Sequence, residues 1–136
     1  MPGVLLAPMT TTTAAELGPR FAAISPWSVF PIAADKLTTY LAADEPGAPR
    51  YQIVVSEKCA GAAGLRLNWL RGPYLQFLGV IPEFQCQGIG ELVLAWFEAT
   101  ARENNDSNIW IACSDFNTRA IRFYERHGYS QIGRLP

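Results

Sequence analysis

Between Tyr51 and Ile81 three extended segments are joined by turns too short to carry a crossover, so neighbouring segments must run antiparallel. Tyr51 to Val55 reads as a strand, and Ser56-Glu57-Lys58 as a turn. Cys59 to Trp69 reads as a longer strand, Arg71-Gly72-Pro73 as a second turn, and Tyr74 to Ile81 as a third strand. Gly61 and Gly64, inside the long strand, indicate close backbone packing or a bulge. A three-stranded meander is therefore the nucleus of the predicted fold.

The flanking segments switch to helical spacing. Val4 to Ala7 predicts a short first strand. The threonine run Thr10 to Thr13 offers an N-cap for a helix through Ala14, Ala15, Leu17 and Phe21 that ends before Pro26, with a kink or break at Pro19. A second helix is predicted from Ile32 to Ala43, with Ile32, Leu37, Tyr40 and Leu41 on one side, stopped by Asp44-Glu45-Pro46-Gly47. Beyond the meander, Glu91 to Glu103 places Leu92, Ala95, Trp96 and Ala99 at helical intervals, and Asn104-Asn105-Asp106 ends that helix. Ile109 to Cys113 reads as a buried strand. Asn117 opens a last helix carrying Ala120, Ile121 and Tyr124, Gly128 follows its C-cap, and a final strand is expected near Tyr129. A helix crossing between two strands of one sheet makes them parallel. The expected class is α/β (α+β): a mixed, mostly antiparallel central sheet with helices on both faces.

With 136 residues the chain fits one domain, 1–136. At 49% apolar and 17% charged residues it can fill a core without metal or disulfide. A net charge of −1 builds in no general attraction to nucleic acid or to an anionic membrane. Cys59, Cys86 and Cys113 show no CxxC spacing and have no histidine cluster nearby, which argues against a zinc site and for a reducing, cytoplasmic compartment. The apolar patch from Met1 to Met9 is broken by Pro2, Gly3 and Pro8 and lacks a cationic lead, so it is a poor signal peptide.

The densest chemical signal runs from Gly79 to Gly90. A strand ends at Pro82, a short polar loop follows, and Gly88 and Gly90 open a helix. The first N–H groups of a helix have no partner within it, and its dipole adds partial positive charge, so an anionic group is held there without lysine or arginine. Glycines lacking Cβ let phosphate oxygens approach the backbone. The competing reading is a tight strand-to-helix turn that needs glycine for steric reasons alone. No lysine or Ser/Thr follows the glycines, and the GxGxxG pattern is absent, so neither nucleotide-binding signature applies.

Gln85-x-x-Gly88-x-Gly90, preceded by Gly79-Val80-x-Pro82, resembles the coenzyme A signature of the GNAT superfamily of N-acetyltransferases. Asn117-x-x-Ala120-x-x-x-Tyr124-Glu125-x-x-Gly128-Tyr129 resembles a second block of that superfamily. The likeness spans about Tyr74 to Ile132 and weakens upstream. It implies an acetyl-CoA-dependent transfer of an acetyl group to a small-molecule or peptide amine by direct attack in a ternary complex, with no metal. It also implies cofactor-binding roles for Leu78, Gly79 and Val80, for Gln85, Cys86, Gln87, Gly88, Ile89, Gly90 and Glu91, and for Asn117. Tyr124 is the implied proton donor to the departing thiolate. Each residue has a plainer role open to it: Leu78 and Val80 as strand residues, Cys86 as passive loop, Asn117 as a helix cap, Tyr124 as a core aromatic. His127, the only histidine, suits a helix C-terminus. A non-catalytic acyl-CoA sensor on the same fold is the alternative function.

Two departures from the resemblance stand out. Neither Tyr74–Ile81 nor Asn108–Ser114 contains an Asp or Glu, and Gln76 and Ala112 occupy places where some relatives carry acid. Glu83 or Glu57 could act only through water. A base-poor site favours an amine already partly neutral: an α-amino group titrates near about 8, a lysine near about 10.4. The resemblance also implies one further strand after the segment starting at Tyr129. Its absence would leave a sheet edge or part of the acceptor cleft open, so either the chain is truncated relative to its relatives or a second subunit, as in a homodimer, covers that edge.

Overall fold

The computed structural model describes residues 3–30 and 32–134. Met1 and Pro2 of the N-terminal patch lie outside the described residues. Five strands form one sheet in the order β1-β2-β3-β4-β5: β1 Val4–Pro8, β2 Arg50–Val55, β3 Lys58–Trp69, β4 Gly72–Val80 and β5 Trp110–Ile111. The first three pairings are antiparallel and β4 pairs β5 in parallel, as the turn lengths and the crossover helix demand.

Both hairpins of the meander turn on two consecutive residues with positive φ, Ser56-Glu57 (48° and 69°) and Leu70-Arg71 (46° and 72°). This is the two-residue geometry whose twist matches that of the strands. The second turn thus falls earlier than the Arg71-Gly72-Pro73 predicted from sequence, and β4 gains Gly72 and Pro73.

The helices are α1 Thr11–Ala22, α2 Ala34–Ala42, α3 Ile89–Glu103 and α4 Thr118–Arg126. The Thr10 hydroxyl caps α1 by accepting from the Thr13 N–H at 3.1 Å. α1 runs unbroken past Pro19, contrary to the expected kink, because the proline sits in the last turn where little helix remains to be disturbed. α3 buries Ile89, Val93, Leu94, Phe97 and Ala101, while Ala95 and Ala99 of the predicted stripe are exposed. The larger side chains chose the face. Among the described residues no helix is long and apolar enough to cross a membrane.

Two predicted strands are corrected. β5 keeps two residues instead of five, and residues 129–134 form no strand. That last segment is polar around Ile132, which is 79% exposed, so it has no alternating apolar face to hold it on a sheet.

The core lies on both faces of the sheet. On one face α3 packs Val93, Leu94 and Phe97 on Ile53, Ala63, Leu65 and Leu75, with Phe123 and Tyr124 of α4 alongside. On the other, Ala14, Leu17 and Phe21 of α1 and Leu37 and Leu41 of α2 cover Ala62 and Phe77. A bulge makes this division possible. Gly64 pairs with Phe77 and Leu65 with Leu75, so Gln76 has no opposite residue. The alternation skips a step there, sending Leu75 to the α3 face and Phe77 to the α1 face.

Candidate active site

The strand pair β4–β5 is held at one end only. Its ladder consists of Tyr74 with Trp110 and Leu75 with Ile111. The Trp110 indole N–H donates to the Leu70 carbonyl at 3.1 Å, and a Cβ on Gly72 would lie 1.6 Å from the Asn108 carbonyl oxygen, so the chains touch there backbone to backbone. At Gln76 they part. The Ile81 N–H donates to the Ala60 carbonyl at 2.9 Å, toward β3. Alternation along the strand therefore turns the peptide groups of Leu78 and Val80 to the unpaired edge. Such groups need partners. The Gln85 side-chain amide supplies one by donating to the Val80 carbonyl at 2.9 Å, which ties the loop entry to the strand end.

A groove of about 1360 Å³ opens where the strands diverge, and Trp27, Gln76, Leu78, Asn117 and Tyr124 are among the residues lining it. Gln87, Gly88 and Glu91 line a separate, shallower depression of about 410 Å³ at the start of α3. Of the expected cofactor residues, Leu78 and Asn117 thus line the groove and Gln87, Gly88 and Glu91 the depression; Gly79, Val80, Gln85, Cys86, Ile89 and Gly90 line neither of the two, and Ile89 is buried.

The loop between β4 and α3 begins with a 3-10 turn, Pro82–Phe84. Cys86 (φ 62°) and Gly88 (φ 79°) both adopt left-handed backbone, and α3 starts at Ile89. The Leu92 N–H donates to the Gly88 carbonyl at 3.2 Å, so the N–H groups of Ile89, Gly90 and Glu91 precede the helical ladder and have no partner within it. A Cβ on Gly88 would meet nothing within 4 Å: the space before the loop is open, and the backbone conformation itself calls for glycine. Gly90 differs from the sequence reading. A Cβ there would meet the Phe123 ring at 3.4 Å, an ordinary packing distance, so the side without a Cβ faces α4 while the Gly90 N–H keeps no partner within the helix.

Tyr124 is half-buried and borders the groove, its ring edge-on to Phe123 at 5.3 Å and Tyr129 at 6.0 Å. Burial raises its hydroxyl pKa well above the usual tyrosine value, with the nearby Cys113 adding to the shift, so the hydroxyl stays protonated. Among the described residues it forms no hydrogen bond. Asn117 caps α4 by accepting from the Ala120 N–H at 3.2 Å and also lines the groove. Tyr124 lies seven residues on, two turns along nearly the same face.

Neither expected water-linked base is well placed. Both Glu83 carboxylate oxygens accept from Arg20, a pairing that lowers the Glu83 pKa and weakens it as a base. Glu57 sits in the β2–β3 turn and does not line the groove. His127 rests its Nδ1 on the Phe123 carbonyl at 2.8 Å, closing the last turn of α4.

Several contacts around the groove depend on tertiary packing. The side-chain carbonyl oxygen of Gln76 accepts from the Tyr40 hydroxyl at 3.0 Å, and the Arg50 guanidinium lies over the Tyr40 ring at 4.0 Å. Trp27 stacks on Phe77 at 4.8 Å, and Phe30 meets Phe116 at 5.1 Å, bringing the α1–α2 connection against the chain leading into α4. Arg119 reaches Cys86, with Nη2 2.9 Å from the thiol sulfur. Trp27, Phe30, Trp69 and Arg71 are the residues of the N-terminal half that the sequence offers for shaping an acceptor pocket, and the first three line the groove.

Comparison with known proteins gives this geometry a context. Residues 18–129 match the acetyltransferase (GNAT) family. Streptothricin acetyltransferase A of Bacillus subtilis (strain 168) is 23% identical over 86 residues, 63% of this chain and 50% of that protein. The chain thus spans half the length of that curated relative. A transcriptional regulator from Bacillus halodurans C-125 shares the fold with a TM-score of 0.79 at 15% identity, over 98% of this chain and 97% of its own. An acetyltransferase from Thermus thermophilus does so with a TM-score of 0.78 at 17% identity, over 95% and 88%.

Proposed function

Because the chain belongs to the acetyltransferase (GNAT) family, we propose that it transfers an acetyl group from acetyl-CoA to a primary amine by direct attack within a ternary complex. The observation that carries this is the parted β4–β5 pair beside an open helix start, with a protonated tyrosine on the same groove. Acetyl-CoA would bring an activated thioester. The residues fit such a ligand: Leu78 and the Val80 N–H present edge-facing backbone groups suited to the amides of a pantetheine arm, with Gly79 between them, while the Val80 carbonyl is taken by Gln85. The N–H groups from Cys86 through Gln87, Gly88, Ile89 and Gly90 to Glu91 suit a diphosphate, with Gln85 anchoring their loop. Asn117 orders the start of α4 and borders the groove.

In this mechanism the Val80 N–H polarises the acetyl carbonyl. The amine nitrogen forms the new C–N bond, the C–S bond breaks, and Tyr124 gives its proton to the leaving sulfur. The proton lost by the nitrogen leaves to water or to one of the carboxylates that border the groove, Glu98, Asp106, Asp115 or Glu125, since none stands on β4 or β5. With no carboxylate on the strands beside the acetyl carbonyl, an acceptor that is already neutral is favoured, an α-amine over a lysine side chain. In this reading the chain acts as one domain in the cytoplasm, without metal, nucleic acid or membrane as a partner.

Titration with acetyl-CoA, followed by amine panels with detection of released thiol, tests the proposal. A peptide whose only amine is its N-terminus is expected to outpace its lysine-only counterpart near neutral pH, and the rate is expected to rise with pH as the acceptor loses its proton, because Tyr124 does not titrate there. Absence of acetyl-CoA binding, or a clear lysine preference, contradicts the respective step. β5 is the outer strand of the sheet among the described residues, and a second copy is proposed to cover that edge. Light scattering is expected to give twice the 15.0 kDa chain mass; a monomer at working concentration refutes this.

A further inference from the structure

Granting that acyl-CoA is the ligand, we infer that Arg119 supplies the positive charge that the phosphate-facing loop lacks. From Pro82 to Glu91 the chain contains no lysine or arginine, and its two charged residues, Glu83 and Glu91, are acidic. The phosphates of coenzyme A carry several negative charges, and unshared N–H groups with a helix dipole compensate only part of them. Glu83 is already taken by Arg20.

The missing cation comes from another element. Arg119 stands in the first turn of α4, ordered by the Asn117 cap, and the Phe123 ring of the same helix lies beside Gly90 at the loop's end. Its guanidinium is held at the loop by the Cys86 sulfur, 2.9 Å from Nη2, where the left-handed backbone of Cys86 turns the chain. A thiol is a weak acceptor and engages one of five guanidinium donors. A phosphate is a far stronger partner, able to take two donors at once. Arg119 forms no ion pair among the described residues, so no carboxylate competes. Arg122 and Arg126 share the exposed face of α4 but form no hydrogen bond or ion pair with the loop among the described residues.

Calorimetric titration of the intact protein with coenzyme A tests this. Arg119→Gln is expected to weaken coenzyme A about tenfold and to flatten the salt dependence of its affinity, since one screened charge contact is gone. Arg119→Lys should recover part of the loss, and Arg122→Gln should stay within about twofold of the parent protein. Affinity for pantetheine, which has no phosphates, should be the same for Arg119→Gln and the parent. An unchanged coenzyme A affinity, or an equal loss for pantetheine, overturns the role of Arg119. A parent protein that ignores coenzyme A overturns the proposed function itself.

Discussion

Replacing Tyr124 with phenylalanine is expected to lower the turnover rate about 100- to 10,000-fold while leaving acetyl-CoA affinity within about twofold, the range that loss of a general acid spans. The two effects separate because the hydroxyl forms no hydrogen bond among the described residues, so removing it strands no partner in the interior. The ring keeps its contacts with Phe123 and Tyr129. Only the proton is lost. Burial holds that proton in place through the alkaline range, so the parent enzyme should show no falling limb assignable to Tyr124 below about pH 10, the ordinary tyrosine value. Steady-state rates with thiol detection, paired with calorimetry, read both quantities. An unchanged rate would remove Tyr124 from the chemistry, and a parallel collapse of affinity would make it a packing residue.

The second large effect is structural. At Gly61 a Cβ would lie 2.0 Å from the Gly79 carbonyl oxygen and 3.0 Å from the Val80 Cα, both backbone atoms of β4. No side chain can swing aside to make room. Gly61→Ala is therefore expected to cost about 3 kcal/mol, at the upper end of ordinary overpacking, since strands must separate to accept it. It should also weaken acetyl-CoA binding, because the displaced segment is the one whose outer edge Leu78 and Val80 form. Denaturant melts compared with the parent measure the first effect, and calorimetry the second. A variant as stable as the parent would show that β3 and β4 do not approach this closely. Gly88→Ala is the contrast: nothing lies within 4 Å, so its cost is the left-handed backbone alone.

Local chemistry was readable from the residues where one element determines it. The meander followed from two short turns, the Thr10 and Asn117 caps from residue type, and the close packing at Gly61 from a glycine inside a strand. Features that depend on pairing were not readable. The bulge at Gln76 exists only relative to β3, and it alone sends Leu75 and Phe77 to opposite faces. β5 stops after two residues because β4 turns away, not because Ala112 and Cys113 resist extension. The Arg119–Cys86 contact joins positions 33 apart through the packing of α4 on the loop, which no spacing rule encodes. The helical intervals in α3 were readable, but not which face is buried: Trp96 of that stripe packs against the core while Ala95 and Ala99 are exposed, because small alanines mark the period without deciding burial.

Among the described residues, Phe84 is the one side chain packed against both core clusters. Elsewhere the interior is partitioned by the sheet, with the wall bearing Trp27 on one side and α3, whose first turn follows the β4–α3 loop, on the other. Substitutions in α1, α2 and their connection are therefore expected to remodel what the groove admits without loosening the packing beneath that loop. A partition of this kind lets one half of the interior change while the other keeps its shape.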